Sequence, residues 1–160
     1  MQDAHKYDVS DFHRALLDIM GVMNQPARDD VLLNAAGVRL DQVLFPLLVT
    51  VGNFGPLGVV ELADRTGRDY TTVSRQVKKL LDQGLVNKQP AEHDRRVSEI
   101  TLSAQGKELT DSIDAARQRL MNATFADWPE EEVSLLFRLV RNYAEAVKRV
   151  APPGVAPDGE

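Results

Sequence analysis

The sequence predicts a mainly α protein of the α+β class: a winged helix-turn-helix lobe with a two-stranded β-wing, carried between N- and C-terminal dimerisation helices. Three observations lead there. Two helical segments meet at Thr66-Gly67-Arg68 and the second stops at Gly84; two short strands then enclose a polar loop; and long apolar stripes occupy both ends of the chain. With 160 residues, 43% of them hydrophobic and 27% charged, the chain can bury one core or two small lobes. It contains no cysteine, which excludes a disulfide scaffold, a Cys-based zinc site and a thiol redox sensor.

Each element has its own signal. Phe12, Leu16, Ile19, Met20 and Met23 recur at steps of three and four, giving a helical stripe with Ser10 as the expected N-cap. Pro26 should end or kink that helix. A short helix through Val31–Leu33 runs up to Gly37, and another spans Leu40 to Val51 with Pro46 near its first turn or at a kink. Leu57 to Arg65 forms the first helix of the helix-turn-helix, and Asp69 caps the second, which continues to Gln83. Leu85–Gln89 and Val97–Leu102 are the strands of the wing. Ser103 caps a helix directed towards Trp128, and Pro129 opens a last helix whose first turn holds Glu130, Glu131 and Glu132, where the helix dipole favours acids.

The uncharged stretch from Gln42 to Val60 is broken by Pro46, Gly52, Gly55, Pro56 and Gly58, so no membrane span is expected there. Met1 to Ser10 lacks the apolar run of a secretory signal, and a cytoplasmic location is expected. The domains divide as residues 1–37 (N-terminal dimerisation helices), 38–107 (winged lobe), 108–150 (C-terminal dimerisation helices) and 151–160, a proline-rich disordered tail. The terminal stripes are more apolar surface than a small three-helix-plus-wing domain covers, so they are expected to bury against a second copy of the chain. The alternative is a monomer whose long helices pack on their own core.

On the helix after Asp69, Val73, Val77, Leu80 and Leu81 define a buried face. The other face presents Thr72, Arg75, Gln76 and Lys79, flanked by Thr71, Ser74 and Lys78, with no acid before Asp82. Hydroxyl, amide, guanidinium and ammonium groups on one helix face can contact base edges and phosphates in a major groove. An ordinary solvated face is the plainer reading of the helix taken alone. The wing shifts the balance, because Arg95 and Arg96 at a hairpin tip have no apolar partners and can reach a narrow minor groove. Asp94 can orient one of them or close an Asx turn. Formal net charge is -5, at first sight unsuited to nucleic acid. Between Arg65 and Lys107, however, nine basic and five acidic residues give +4, leaving -9 elsewhere.

The joint pattern of Thr71-Thr72-Val73-Ser74-Arg75, Gly84-Leu85-Val86, Asp94-Arg95-Arg96 and Leu102-Ser103-Ala104-Gln105-Gly106 resembles the MarR (multiple antibiotic resistance regulator) family of bacterial transcription factors. The likeness runs from Ser10 to Val150. It implies a homodimer whose terminal helices interlock while two winged lobes meet successive major grooves of a pseudo-palindromic, double-stranded DNA operator. By position, Thr71, Thr72, Ser74, Arg75, Gln76 and Lys79 resemble the recognition-helix contacts. Arg96 resembles the minor-groove arginine, with Arg95 on phosphate and Asp94 positioning. Lys88 departs from the arginine the family usually carries after the first wing strand.

The resemblance also implies a small, often aromatic or anionic, effector that releases the DNA. His13, Arg14, Arg39, Phe45 and Arg65 are candidates for it by position only, each with a plainer reading as core or solvated surface. No cofactor is expected. His5, His13 and His93 lie far apart, so no metal site is expected either. An enzyme is poorly supported: there is no Gly-rich phosphate loop, and His93-Asp94 lies on the wing rather than in a pocket. The competing reading is a winged-helix interaction module that binds RNA or a protein through its basic face.

Overall fold

A computed structural model describes residues 7–150. The expected tail at 151–160, together with residues 1–6, lies outside them. Among the described residues, seven helices and one two-stranded antiparallel sheet follow in the order α1 (Val9–Met23), α2 (Pro26–Ala36), α3 (Phe45–Phe54), α4 (Val59–Thr66), α5 (Tyr70–Asp82), β1 (Val86–Pro90), β2 (Ser98–Leu102), α6 (Ala104–Thr124) and α7 (Glu130–Val150). The chain divides into two compact units, one ending at Gln118 and the other beginning at Arg119.

Pro26 follows the end of α1, as expected, and Pro46 takes the first-turn place that was one of its two expected positions. Pro26 and Pro46 both occupy the first turn, of α2 and α3, where a missing N–H costs no hydrogen bond. The helix expected over Leu40–Val51 accordingly starts later, at Phe45. Asp8 rather than Ser10 caps α1, accepting the Asp11 N–H at 2.9 Å. Pro129 lies just ahead of α7, and its carbonyl accepts from Glu132 and Val133.

In the first unit, α3, α4, α5 and the sheet enclose one apolar core that includes Leu44, Leu48, Leu62, Val73, Leu80 and Ile100. Leu57, expected in a helix, is extended and pairs with Ile100 through two backbone hydrogen bonds of 3.1 and 2.7 Å. This bridge adds a third extended segment beside the wing and anchors the start of α4 to it. Within the sheet, Val86 faces Leu102, Lys88 faces Ile100 and Pro90 faces Ser98.

The junction between α5, β1 and α6 explains the Leu-Ser-x-x-Gly motif. Gly84 takes φ +71° and turns the chain out of α5. Ser103 then works on both sides of the junction: its hydroxyl donates to the Gly84 carbonyl at 2.6 Å and accepts the Gly106 N–H at 2.9 Å, capping α6. Its backbone N–H donates to the Leu85 carbonyl at 3.0 Å. Gly106 lies so close to Leu85 that a Cβ there would sit 1.9 Å from the Leu85 carbonyl oxygen.

The second unit contains α7 and the C-terminal end of α6. Phe125 meets Trp128 edge-to-face at 5.2 Å and Phe137 at 5.6 Å, arrangements that aromatic quadrupoles favour. Glu130, Glu131 and Glu132 lie at the positive end of α7, and Lys148 and Arg149 at its negative end. Neither α1 nor α7 has a buried residue; α1 exposes Ile19, Met20 and Met23, and α7 exposes Leu139, Val140 and Val147.

Gly106→Ala should destabilise the fold by about 1–3 kcal/mol, because the new methyl group can fit only if the backbone shifts. Urea denaturation of the two proteins checks this. A midpoint equal to that of the parent would show that the Leu85–Gly106 approach is not a constraint in solution.

Candidate nucleic-acid interface

The interface is built on α5 and the wing. Asp69 caps α5 by accepting the Thr72 N–H at 2.9 Å and the Thr72 hydroxyl proton at 2.6 Å. These two bonds, the hydroxyl's first, hold the Asp69 carboxyl below the usual carboxylate range. With its proton committed to an ionised acid, the Thr72 hydroxyl offers only lone pairs outward.

Along the outer side of α5, Thr71, Arg75, Lys78 and Lys79 are exposed, while Thr72 and Ser74 are half-buried. Gln76 differs from its expected place on that face. It is only 8% exposed, and its Oε1 accepts the Arg68 guanidinium at 2.9 Å. The reason lies in the helical phase: Gln76 falls three residues after Val73 and four before Leu80, so it belongs to the inward stripe. Tyr70, not singled out from the sequence, is 57% exposed at the first position of α5. The signal for it was available, since an N-cap at Asp69 places Tyr70 in the leading turn.

At the wing tip, Asp94 does both things considered for it. Its Oδ1 accepts the Arg96 N–H at 3.0 Å, closing a local turn, and its two oxygens accept Nε and Nη2 of the Arg96 side chain at 3.1 and 3.2 Å. The fork-to-fork pairing is directional and holds a guanidinium whose side chain is 90% exposed. Arg95 beside it is exposed as well. Pairing with the Arg96 side chain, and then with its N–H, lowers the Asp94 carboxyl below the usual range. The stability this adds is present above the carboxyl's unfolded pKa and is lost as pH falls through the lower folded value.

The five effector candidates do not converge. Phe45 borders a cavity of about 820 Å³ together with Asp29, Val43, Val49 and Arg68. Arg39 borders a different groove, of about 440 Å³, beside Asp41 and Gln83. Arg65 lies 4.2 Å over the Phe54 ring and 3.4 Å from Glu61, and His13 and Arg14 are exposed on α1. Arg68, missed from the sequence, is the arginine at the larger cavity. Asp29 at the same cavity has its carboxyl pushed up, by burial first and then by Asp30. Among the described residues no three His, Asp or Glu side chains cluster as metal ligands, and no helix is long and apolar enough to cross a membrane.

Residues 40–98 match the model of the MarR family. The chain is 28% identical over 108 residues to the HTH-type transcriptional regulator YxaD of Bacillus subtilis, covering 68% of this chain and 76% of that one. Its fold is similar to that of a MarR family protein from Bacillus stearothermophilus, with TM-score 0.72 and 22% identity over 88% of this chain and 95% of that one. It is also similar to Streptococcus pneumoniae FabT in complex with DNA, with TM-score 0.60 and 15% identity over 87% and 99% of the two chains.

Arg96→Ala should leave thermal stability within about 0.5 kcal/mol of the parent, as for other exposed sites. The same substitution should raise the Asp94 carboxyl towards the usual range in an NMR titration, the bond to the backbone N–H of residue 96 being kept. An unmoved Asp94 midpoint would show that the pair does not persist in solution.

Proposed function

We propose, from the match of residues 40–98 to the MarR family, that the chain is a homodimeric, sequence-specific repressor released from a pseudo-palindromic operator by a small molecule. Members of the family are DNA-binding transcription regulators, not enzymes. One observation carries the reading of this chain. An acid-free outer face on α5 bearing Thr71, Arg75, Lys78 and Lys79 is followed by a wing whose Arg96 is held outward by Asp94. The local +4 spans Arg65 to Lys107, the stretch that contains these elements, whereas the rest of the chain carries -9 and would repel DNA that is not docked in register.

In this reading α5 enters the major groove, Thr71, Thr72, Ser74 and Arg75 face base edges, and Lys78, Lys79 and Arg95 meet phosphates. Arg96 enters the adjacent minor groove, where a narrow width concentrates negative potential. Gln76 has no direct contact in this arrangement. Residues 1–37 and 108–150 supply the dimerisation helices: α1 and α7 each carry an apolar stripe with nothing buried, which a second copy would cover. An aromatic or anionic effector is assigned to the cavity of about 820 Å³, which presents the Phe45 ring, the Val49 side chain and a guanidinium. The protein acts in the cytoplasm, where its operator lies.

Selection of genomic fragments should recover palindromic sites near this protein's own reading frame. Arg96→Ala should bind them more weakly, and Lys79→Ala should lower the salt slope of log K by about one. Recovery of RNA or protein partners without palindromic DNA would favour the interaction-module alternative and overturn this one. Sedimentation at micromolar concentration should give twice the 17.8 kDa chain mass. A single species of monomer mass would remove the interlocked dimer.

A further inference from the structure

Arg68 follows the turn residue Gly67, which has φ +64°, and its backbone N–H donates to the Ala63 carbonyl at 3.1 Å, so its base is fixed to α4. Its side chain is half-buried. Nη1 donates to the Val43 carbonyl at 2.7 Å, in the turn ahead of α3, and to Gln76 Oε1 at 2.9 Å, on the inner side of α5. One cation thereby joins α4, the approach to α3, and α5. Both acceptors are neutral, and no carboxylate among the described residues forms an ion pair with Arg68.

The remaining contacts of α5 with the core are apolar: Val73, Val77 and Leu80 are buried against Leu44, Leu48 and their neighbours. Burial of this kind is strong but non-directional, so it tolerates a small rotation of the helix about its axis. A hydrogen bond weakens steeply with angle and does not tolerate that rotation. Any such turn would swing the long Arg75 and Lys79 side chains sideways by more than the movement at the axis.

We infer that Arg68 is a positioning residue for DNA recognition: through the Gln76 amide and the Val43 carbonyl it sets the rotation of α5, and with it the register of Thr71, Arg75 and Lys79 in the groove. The inference rests on the reading of α5 as the groove-reading helix. Arg68 and Val43 also border the larger cavity, so displacement of the guanidinium from that side would free Gln76.

The test measures binding to a selected operator duplex, as a function of salt, for the wild-type protein and for Arg68→Ala, Arg68→Lys, Gln76→Met and the Arg68→Ala/Gln76→Met double variant. Gln76→Met keeps net charge and nearly keeps volume, and Arg68→Lys keeps the charge and guards against a variant that fails to fold. Arg68→Ala and Gln76→Met should each lose roughly tenfold in specific affinity, and the double variant should lose no more than either one, as coupled neighbours do. Arg68→Lys should fall between, with the wild-type salt slope. Wild-type affinity in both Arg68→Lys and Gln76→Met, or additive losses in the double variant, would overturn the inference. A salt slope lowered by about one in Arg68→Ala would also overturn it, by making Arg68 a phosphate contact instead. Failure of the wild-type protein to bind any selected duplex would instead overturn the reading of α5 on which the inference stands.

Discussion

The winged lobe depends on the approach of the Leu85 backbone to Gly106. At that point α5 has ended, the wing is about to begin and α6 is being capped, and all three are held within a few residues by Ser103 and two glycines. The contact is close because position 106 has no side chain, and it is satisfied because Ser103 supplies a donor to one carbonyl and an acceptor to one N–H. Without it the sheet could still pair and α5 could still bury its stripe. Their mutual direction would be free, and a recognition helix beside a wing is useful only when that direction is set.

From this junction the interface follows by division of labour between non-directional and directional contacts. Apolar residues of α5 hold the helix on the core, Asp69 completes its first turn, and Arg68 ties its inner side to neighbouring segments. At the wing, Asp94 holds Arg96 in a defined direction although the side chain is almost wholly in water. Such an exposed pair contributes little to stability. In the proposed contact with DNA, its effect is to limit the conformations from which the guanidinium must be drawn, which lowers the entropy lost on binding. Asp69 and Asp94 are each spent on orienting a neighbour, so these two carboxylates do not stand free on the basic surface.

The overall charge and the apolar stripes belong to the same design. A chain of net charge -5 has its net positive charge between Arg65 and Lys107, so in the proposed role association depends on orientation as well as on proximity. The stripes on α1 and α7 are exposed, and in each helix they follow the period of a packing face rather than a scatter of single residues.

Much of this was legible in the residues because it is set by local rules. The Asp69 cap, the positive-φ turn at Gly84, the Ser103 cap and the two strands of the wing each follow from a side chain acting on its own neighbourhood in the chain, so short-range chemistry suffices to read them. The same locality exposed the basic face of α5 and the Asp94–Arg96 pair. What needed the tertiary structure are the contacts between residues far apart in sequence. Leu57 is extended because Ile100 offers it two hydrogen bonds, and Gln76, inward by helical phase, has its amide oxygen met there by the Arg68 guanidinium. The effector candidates scatter because a cavity is defined by which segments fold against one another, which spacing along the chain does not encode. Local chemistry along the chain thus settles most of the elements, the caps at Asp69 and Ser103 and the sign of each surface; the partner that meets a polar group at the core, as Arg68 meets Gln76, is set by packing between segments distant in sequence.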